Sequence, residues 1–344
     1  MKVGFVYDPI YLKHDTGQHP ENTKRLEAII DHLEQTGLKQ QLTPINPRAA
    51  SIEELSLVHD GQYISYIRDV AQRGGGRLDA DTGMSADSYE AALYASGGVI
   101  RATETVMNGE ADSAFALVRP PGHHATYKRA MGFCLFNNVA ISTKYALVNY
   151  KLERILIVDF DVHHGNGTQA AFYDDPRVLY ISTHEYPFYP GTGSIEETGI
   201  GMAEGNTINI PLPAGSGDTE YLEVFEQIIV PAAIRFKPQL ILVSAGYDSH
   251  WADELALMQV SVTGFAKMVQ IIQGLGDELC DGRLVFSLEG GYNLIALSTS
   301  VKATFDMLLG NTAIEDPLGQ SPRRLEAPSI APLIKKINEL HNLT

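Results

Sequence analysis

Ile155-Leu156-Ile157-Val158-Asp159-Phe160-Asp161-Val162-His163-His164-Gly165-Asn166-Gly167 is the stretch on which the reading of this 344-residue chain turns. It starts as an apolar, β-branched run of the kind that fills a strand buried on both faces. Polar residues then take every second position, Asp159, Asp161 and His163, before a Gly-Asn-Gly break. Alternate side chains of an extended chain share a face, so three potential ligands or their supporters leave the strand end together. Carboxylate oxygen and imidazole nitrogen suit a divalent cation of zinc type, and parallel α/β sheets bind ligands beyond the carboxyl ends of their strands. Taken alone, the stretch also fits a polar strand end hydrogen-bonded to neighbouring loops.

Outward from it, apolar runs at Val3–Tyr7, Ser113–Val118, Val178–Ser182, Asn206–Pro211, Leu240–Ala245 and Arg283–Leu288 read as further strands. Helical spacing falls between them. The pattern covers Lys24–Gln35, a helix capped by Asp60 and reaching about Gln72, Tyr89–Asn108, Asn138–Asn149, Thr219–Phe236 broken at Pro231, Ser261–Leu275 and a last stretch ending at Leu309. Strands alternating with helices predict an α/β fold, a mainly parallel sheet with helices on both faces. With no linker, charge run or repeat, residues 1–310 read as one domain; 311–344 reads as a Pro-rich segment and a short terminal helix packed on it. The loops Tyr11–Thr23 and Tyr186–Gly205 carry no element pattern but are dense in His, Gly, Pro and aromatic residues, and His14 and His19 stand as outside candidates for ligands.

A formal net charge of −16 argues against direct nucleic-acid or anionic-membrane binding and favours a cationic substrate or partner, although most of the charge serves solubility. Cys134 and Cys280 are the only cysteines, too few for a disulfide framework or thiolate metal cluster. The N-terminal stretch turns polar too early for a secretory signal, and no window of about twenty residues is apolar enough to span a bilayer. A cytoplasmic protein is expected.

Four polar groups fall just past different strands: His123-His124, Asp161 with His163, Asp248, and Tyr292. On a parallel sheet those ends share one rim. A metal held by Asp161, His163 and Asp248 would have three protein ligands and open positions, the arrangement of a catalytic site. His123 and His124 each need a partner to fix the tautomer; Asp159 can serve one and Asn166 the other. An anionic partner raises a histidine's pKa, whereas an amide beside a cation leaves it low, so the histidine beside Asn166 would be the neutral one, able to accept a proton from water. Tyr292, after Gly290-Gly291, can donate a hydrogen bond to a carbonyl oxygen as charge develops there.

Together, Arg119-Pro-Pro-Gly-His123-His124, Asp159-Phe-Asp161-Val-His163-His164-Gly-Asn166-Gly, Ala245-Gly-Tyr-Asp248 and Leu288-Glu-Gly-Gly-Tyr292 resemble the zinc-dependent histone deacetylase and acetylpolyamine amidohydrolase superfamily, over about residues 4–309. Asn166 and the Leu-Glu-Gly-Gly-Tyr run look like its class II branch. The resemblance implies an arginase/deacetylase-like fold with a sheet of about eight strands. It further implies a zinc-dependent deacetylase that hydrolyses an acetylated lysine peptide or small acetylated amine. One Zn2+ per chain would sit on Asp161, His163 and Asp248. His124 would act as base then acid, His123 paired with Asp159 as electrostatic helper, and Tyr292 would polarise the acetyl carbonyl.

Gly132, Phe133, Tyr189, Leu255, Gly290 and Gly291 match substrate-tunnel positions, and Arg25 matches an interior-channel arginine. Potassium is implied near Asp159, Asp161, His163, Ser182 and Thr183, and again near Phe172, Asp175, Val178 and Tyr221. Departures are also visible. The related arginases place second-metal aspartates where Gly165 and His250 stand here, which favours one metal. The gatekeeping glutamate of some polyamine-specific members is replaced by Leu255, with Glu254 one position earlier. Asp81 and Asp87 are candidates for a rim carboxylate, and no role is assigned to Trp251. An acetylpolyamine amidohydrolase, a catalytically silent acyl-lysine binding protein and a ureohydrolase remain alternatives.

Overall fold

The computed structural model describes residues 1–322, 325 and 327–343. Its strands are β1 (Val3–Val6), β2 (Thr43–Ile45), β3 (Gly75–Arg77), β4 (Gly83–Ser85), β5 (Ser113–Ala116), β6 (Ile155–Asp159), β7 (Val178–Glu185), β8 (Thr207–Leu212), β9 (Leu240–Ala245) and β10 (Leu284–Leu288). Eight of them form one sheet in the order β2-β1-β5-β10-β9-β6-β7-β8, and every neighbouring pair is parallel. All residues of β5, β6, β7, β9 and β10 are buried, which requires cover on both faces and explains their near-continuous apolar runs.

The helices are α1 (Lys24–Gln35), α2 (Ile52–Leu55), α3 (Gly61–Gln72), α4 (Ser88–Met107), α5 (Asn138–Asn149), α6 (Asn166–Phe172), α7 (Asp218–Val224), α8 (Val230–Phe236), α9 (Val262–Leu279), α10 (Leu294–Leu309) and α11 (Ala331–His341). One layer runs through contacts of α1 with α10, α10 with α9 and α9 with α7; the other runs through α3, α4, α5 and α6. Leu26, Ile29, Ile30 and Leu33 form the buried stripe of α1, spaced for one helical face. Asp60 caps α3 by accepting from Gln62 N, and Asn293 caps α10 by accepting from Ala296 N. Among the described residues no helix is long and apolar enough to cross a membrane.

Several elements differ from the sequence reading. β7 does not stop at Ser182; it runs on to Glu185 because β8 pairs with it through His184↔Pro211 and Glu185↔Leu212. Gly75 and Gly76, just past the expected end of α3 at about Gln72, belong to one arm of the small antiparallel β3–β4 hairpin. β2, with Pro44 at its centre, is an edge strand, where a missing N–H costs little. The expected helix over Thr219–Phe236 is interrupted before Pro231 by a π-helical turn, Phe225–Ile229. The wider turn accommodates a proline ring that would collide with the carbonyl four residues back.

At the C-terminus, α11 packs on β8 and the π turn through buried Ile334 and Ile337. Of the segment expected over 311–344, Arg323, Arg324, Glu326 and Thr344 lie outside the described residues.

Candidate active site

Because β6 and β9 are parallel neighbours, the loops that follow them open on one rim. Asp161 and His163 leave the first and Asp248 the second, and their donor atoms all lie within 4.8 Å of one another. His163 Nδ1 is 3.1 Å from Asp248 Oδ2 and 3.3 Å from Asp161 Oδ1. Backbone N–H groups orient the carboxylates: Gly290 N donates to Asp161 Oδ2 at 2.8 Å and Val162 N to Asp248 Oδ1 at 3.0 Å. Burial opposes a charged His163, but hydrogen bonds to Asp161 and Asp248 outweigh it and lift its pKa to about 10. Burial and the neighbouring Asp161 push Asp248 above the usual carboxylate range. Two buried carboxylates crowding one imidazole form a pocket of negative potential that a divalent cation fits.

The two adjacent histidines stand on either side of a charge divide. His123 Nδ1 is 3.1 Å from Asp159 Oδ2, whose oxygen also accepts from Tyr180 OH at 3.0 Å. Burial lowers His123, yet Asp159 and Asp161 prevail and raise it to about 10. His124 Nδ1 is 2.8 Å from Asn166 Oδ1, at the start of α6. Donating there, His124 keeps the lone pair on Nε2. Burial first, then the positive charges of His123 and His163, hold it well below its ordinary value. The two rings are 4.0 Å apart by centroid. The turn carrying them is fastened by Glu289 Oε2, which accepts from Gly122 N at 2.7 Å and His123 N at 3.2 Å. Burial lifts Glu289 itself to about 7, against the pull of His123 and Gly122 N.

A cavity of about 190 Å³ leads down to these groups between Phe133, Phe188, Tyr189, Leu255 and Tyr292, with Asp81, Gly132 and Gly290 also in its lining. Phe133 meets Tyr292 edge to face at 5.8 Å, Tyr189 meets His124 at 5.2 Å, and Phe188 stacks on His163 at 5.6 Å. Gly132 has φ +54°, and a Cβ there would lie 2.2 Å from His124 Cδ2. Only glycine lets the wall pass so close to that imidazole. Burial and Asp248 hold the Tyr292 hydroxyl well above its ordinary pKa, so it is a donor.

Arg25 lies 5.0 Å from the Tyr292 ring centroid and donates to Gly291 O at 2.6 Å and Glu289 O at 2.5 Å. It shares Glu21 with Arg119, and all three side chains are fully buried. Asp253, pushed to about 6 by burial and Asp248 against its N–H bonds, accepts from Tyr292 N and Asn293 N.

Other candidates fall elsewhere. His14 is buried against Ser88 and Glu21, away from the Asp–His–Asp cluster, and His19 meets Phe133 edge to face at 4.5 Å. Asp87 precedes α4 without a side-chain cap bond, and Glu254 is exposed beside a groove with Asn22 and Leu294. Ser182 Oγ is 2.9 Å from His184 Nδ1, while Thr183 Oγ1 is buried with no hydrogen-bond partner among the described residues. Asp175 is engaged by Lys144 at 2.9 Å and Arg177 at 2.8 Å; Lys144 also covers Phe172, and Tyr221 is fully buried. Val178 begins β7. A Cβ on Gly165 would meet Asp159 Oδ2 at 2.2 Å, and the His250 ring lies against Trp251 and Phe265, with Trp251 Nε1 donating to Gly319 O.

Sequence reasoning passed over Glu289, Phe188 and Asp253 as site residues. Glu289 was visible inside the Glu-Gly-Gly-Tyr run and Phe188 among the aromatics of its loop, but nothing local marks Asp253.

A parallel eight-stranded sheet between helix layers, with this cluster at its carboxyl rim, defines the arginase and deacetylase class of α/β folds. The crystal structure of the HDA15 HD domain superposes with a TM-score of 0.90 at 35% identity, covering 99% of this chain and 94% of that one. A family model described as the histone deacetylase domain matches residues 19–308. The "Probable deacetylase" of Archaeoglobus fulgidus is 44% identical over 297 residues, 86% of this chain and 82% of the relative. "Histone deacetylase 14, chloroplastic" of Arabidopsis thaliana is 40% identical over 351 residues, 96% of this chain and 83% of the relative. The chain belongs to the histone deacetylase family.

Proposed function

We propose that this protein is a zinc-dependent deacetylase that hydrolyses the amide of an acetylated lysine or a related small acetylated amine, releasing acetate. The observation that carries the reading is the pair of adjacent histidines, one held by the Asp159 carboxylate and one by the Asn166 amide, beside the Asp161–His163–Asp248 cluster. Names of the relatives, which include deacetylases from an archaeon and a plant, support the same activity.

Asp161, His163 and Asp248 would hold the zinc, which when bound supplies Lewis acidity toward water and the acetyl carbonyl. His124 Nε2 takes the proton of the attacking water as its oxygen joins the carbonyl carbon, and returns it to the nitrogen as the C–N bond breaks. His123, kept positive by Asp159, stabilises the negative charge that builds nearby, and Tyr292 donates its hydroxyl to the carbonyl oxygen. Phe133 and Tyr189 form apolar walls for a methylene chain, with Asp81 also in the cavity lining. Gly165 and His250 supply no carboxylate for a second ion, which supports one metal per chain. The buried Thr183 hydroxyl, without a hydrogen-bond partner among the described residues, supports a structural potassium near Asp159 and Ser182. Asp175, already engaged by two cations, weakens the case for the second potassium.

The test is acetate release from an acetyl-lysine peptide and an acetylated polyamine side by side, before and after chelation and after zinc is restored. Activity lost to chelator and regained with zinc is expected. Full activity in protein shown by elemental analysis to be metal-free would overturn the reading.

A further inference from the structure

Asp253 follows Asp248 by five positions and stands 39 before Tyr292, so sequence ties it to the metal cluster rather than to the tyrosine. The fold reverses that. Asp253 Oδ2 accepts from Tyr292 N at 2.6 Å and from Asn293 N at 3.0 Å, while Oδ1 accepts from Leu255 N at 3.0 Å. Asn293 Nδ2 closes the join from the other side by donating to Ala252 O at 3.0 Å. The carboxylate is 6% exposed and has no cationic partner among the described residues, so its bonds are spent on three backbone N–H groups.

We propose that Asp253 is a positioning residue that fixes the Tyr292 hydroxyl above the reacting carbonyl by locking the turn after β10 to the loop after β9. The proposal rests on the donor role of Tyr292 argued above. Helix capping alone does not account for the contacts, because the Asn293 side chain already caps α10 through Ala296 N. Nor does the chain fix Tyr292 by itself: Gly291 precedes it at φ +115°, a conformation with little side-chain restraint. Its ring is flanked by Phe133, edge to face, and by the Arg25 guanidinium. The hydroxyl stands at the far end of that ring, so a small backbone rotation at Tyr292 is magnified, and a misplacement of about 1 Å can cost about 100-fold in rate. Leu255, held by the other oxygen, lines the same cavity, so one carboxylate registers the hydrogen-bond donor and one tunnel wall together.

The test is a double-mutant cycle on the zinc-loaded protein: Asp253→Ala, Asp253→Asn, Tyr292→Phe and the two combinations, read as kcat and KM for acetyl-lysine peptide with zinc content and Tm in parallel. Asp253→Ala is expected to lower kcat about 100-fold with zinc content unchanged. Asp253→Asn, which keeps one oxygen for these N–H groups, should lose less. In the Tyr292→Phe background either change should cost less than about threefold, because the residues act through one another. Equal fold-losses in both backgrounds, or full activity in Asp253→Ala, would overturn the proposal while leaving the tyrosine's role intact. A fully active Tyr292→Phe would remove the tyrosine's role and this proposal with it. Should the alanine variant not fold, the asparagine cycle carries the same comparison.

Discussion

At the scale of single residues, the pKa values of two adjacent imidazoles are pushed in opposite directions: Asp159 and Asp161 raise His123, while burial and the neighbouring histidines lower His124, which has only an amide partner in Asn166. Replacing His124 by Ala should lower kcat by about 10²–10⁴-fold, the range for a lost proton-transfer group, with zinc content retained. Replacing Tyr292 by Phe should cost about 10²–10³-fold, as for a lost oxyanion donor, with little change in KM. Steady-state kinetics with elemental analysis checks both.

Gly132→Ala adds one methyl group where His124 Cδ2 would be 2.2 Å away, at a positive φ. It should cut kcat by about 100-fold by displacing the imidazole, in protein whose circular dichroism is unaltered. Asp159, Asp161 and His163 were legible because two-residue periodicity at a strand end is a local signal, and Asp248 because it closes another apolar run. Glu289 was visible within its motif but its role was not, and Asp253 was not legible at all, because each binds backbone N–H groups, whose positions carry no side-chain signature and come from distant chain.

At the scale of elements, His59 joins two loops. Its Nδ1 donates to Thr126 O at 2.9 Å and its Nε2 accepts from Asn137 N at 2.9 Å, just where Asn137 caps α5. Burial lowers its pKa from 6.5 to about 4. The unfolded chain therefore binds a proton first as pH falls. The stabilisation from neutral His59 is complete above pH 6.5 and lost as pH drops towards 4, about 3 kcal/mol in all at about 1.4 kcal/mol per tenfold change in proton affinity. Chemical denaturation across that range should show a shallower pH slope in His59→Gln than in the parent protein.

Among the elements themselves, long runs such as β6, β9, α1 and α5 were readable because apolar periodicity and caps coincide. The β3–β4 hairpin and edge strand β2 were not. Three-residue strands containing Gly or Pro carry almost no pattern and exist through their partners.

At the scale of the whole molecule, a net charge of −16 sets the field in which a substrate approaches. KM for a lysine-rich acetylated peptide should rise with ionic strength, while KM for an uncharged acetylated amide stays flat, because salt screens only the former attraction. A titration with sodium chloride distinguishes the two. Parallel architecture followed from strand–helix alternation, but strand order did not. β10 is the last strand in sequence, yet it lies between β5 and β9 because side-by-side placement is decided by crossovers that no local pattern records.

That late strand in a central slot governs how the molecule is assembled. A ribosome must emit residue 288 before the gap between the two halves of the sheet can be filled. Until then an unpaired edge stands open on each side, a template for the wrong neighbour. A fragment ending ahead of the closing strand would leave β5 and β9 without the neighbour that joins them.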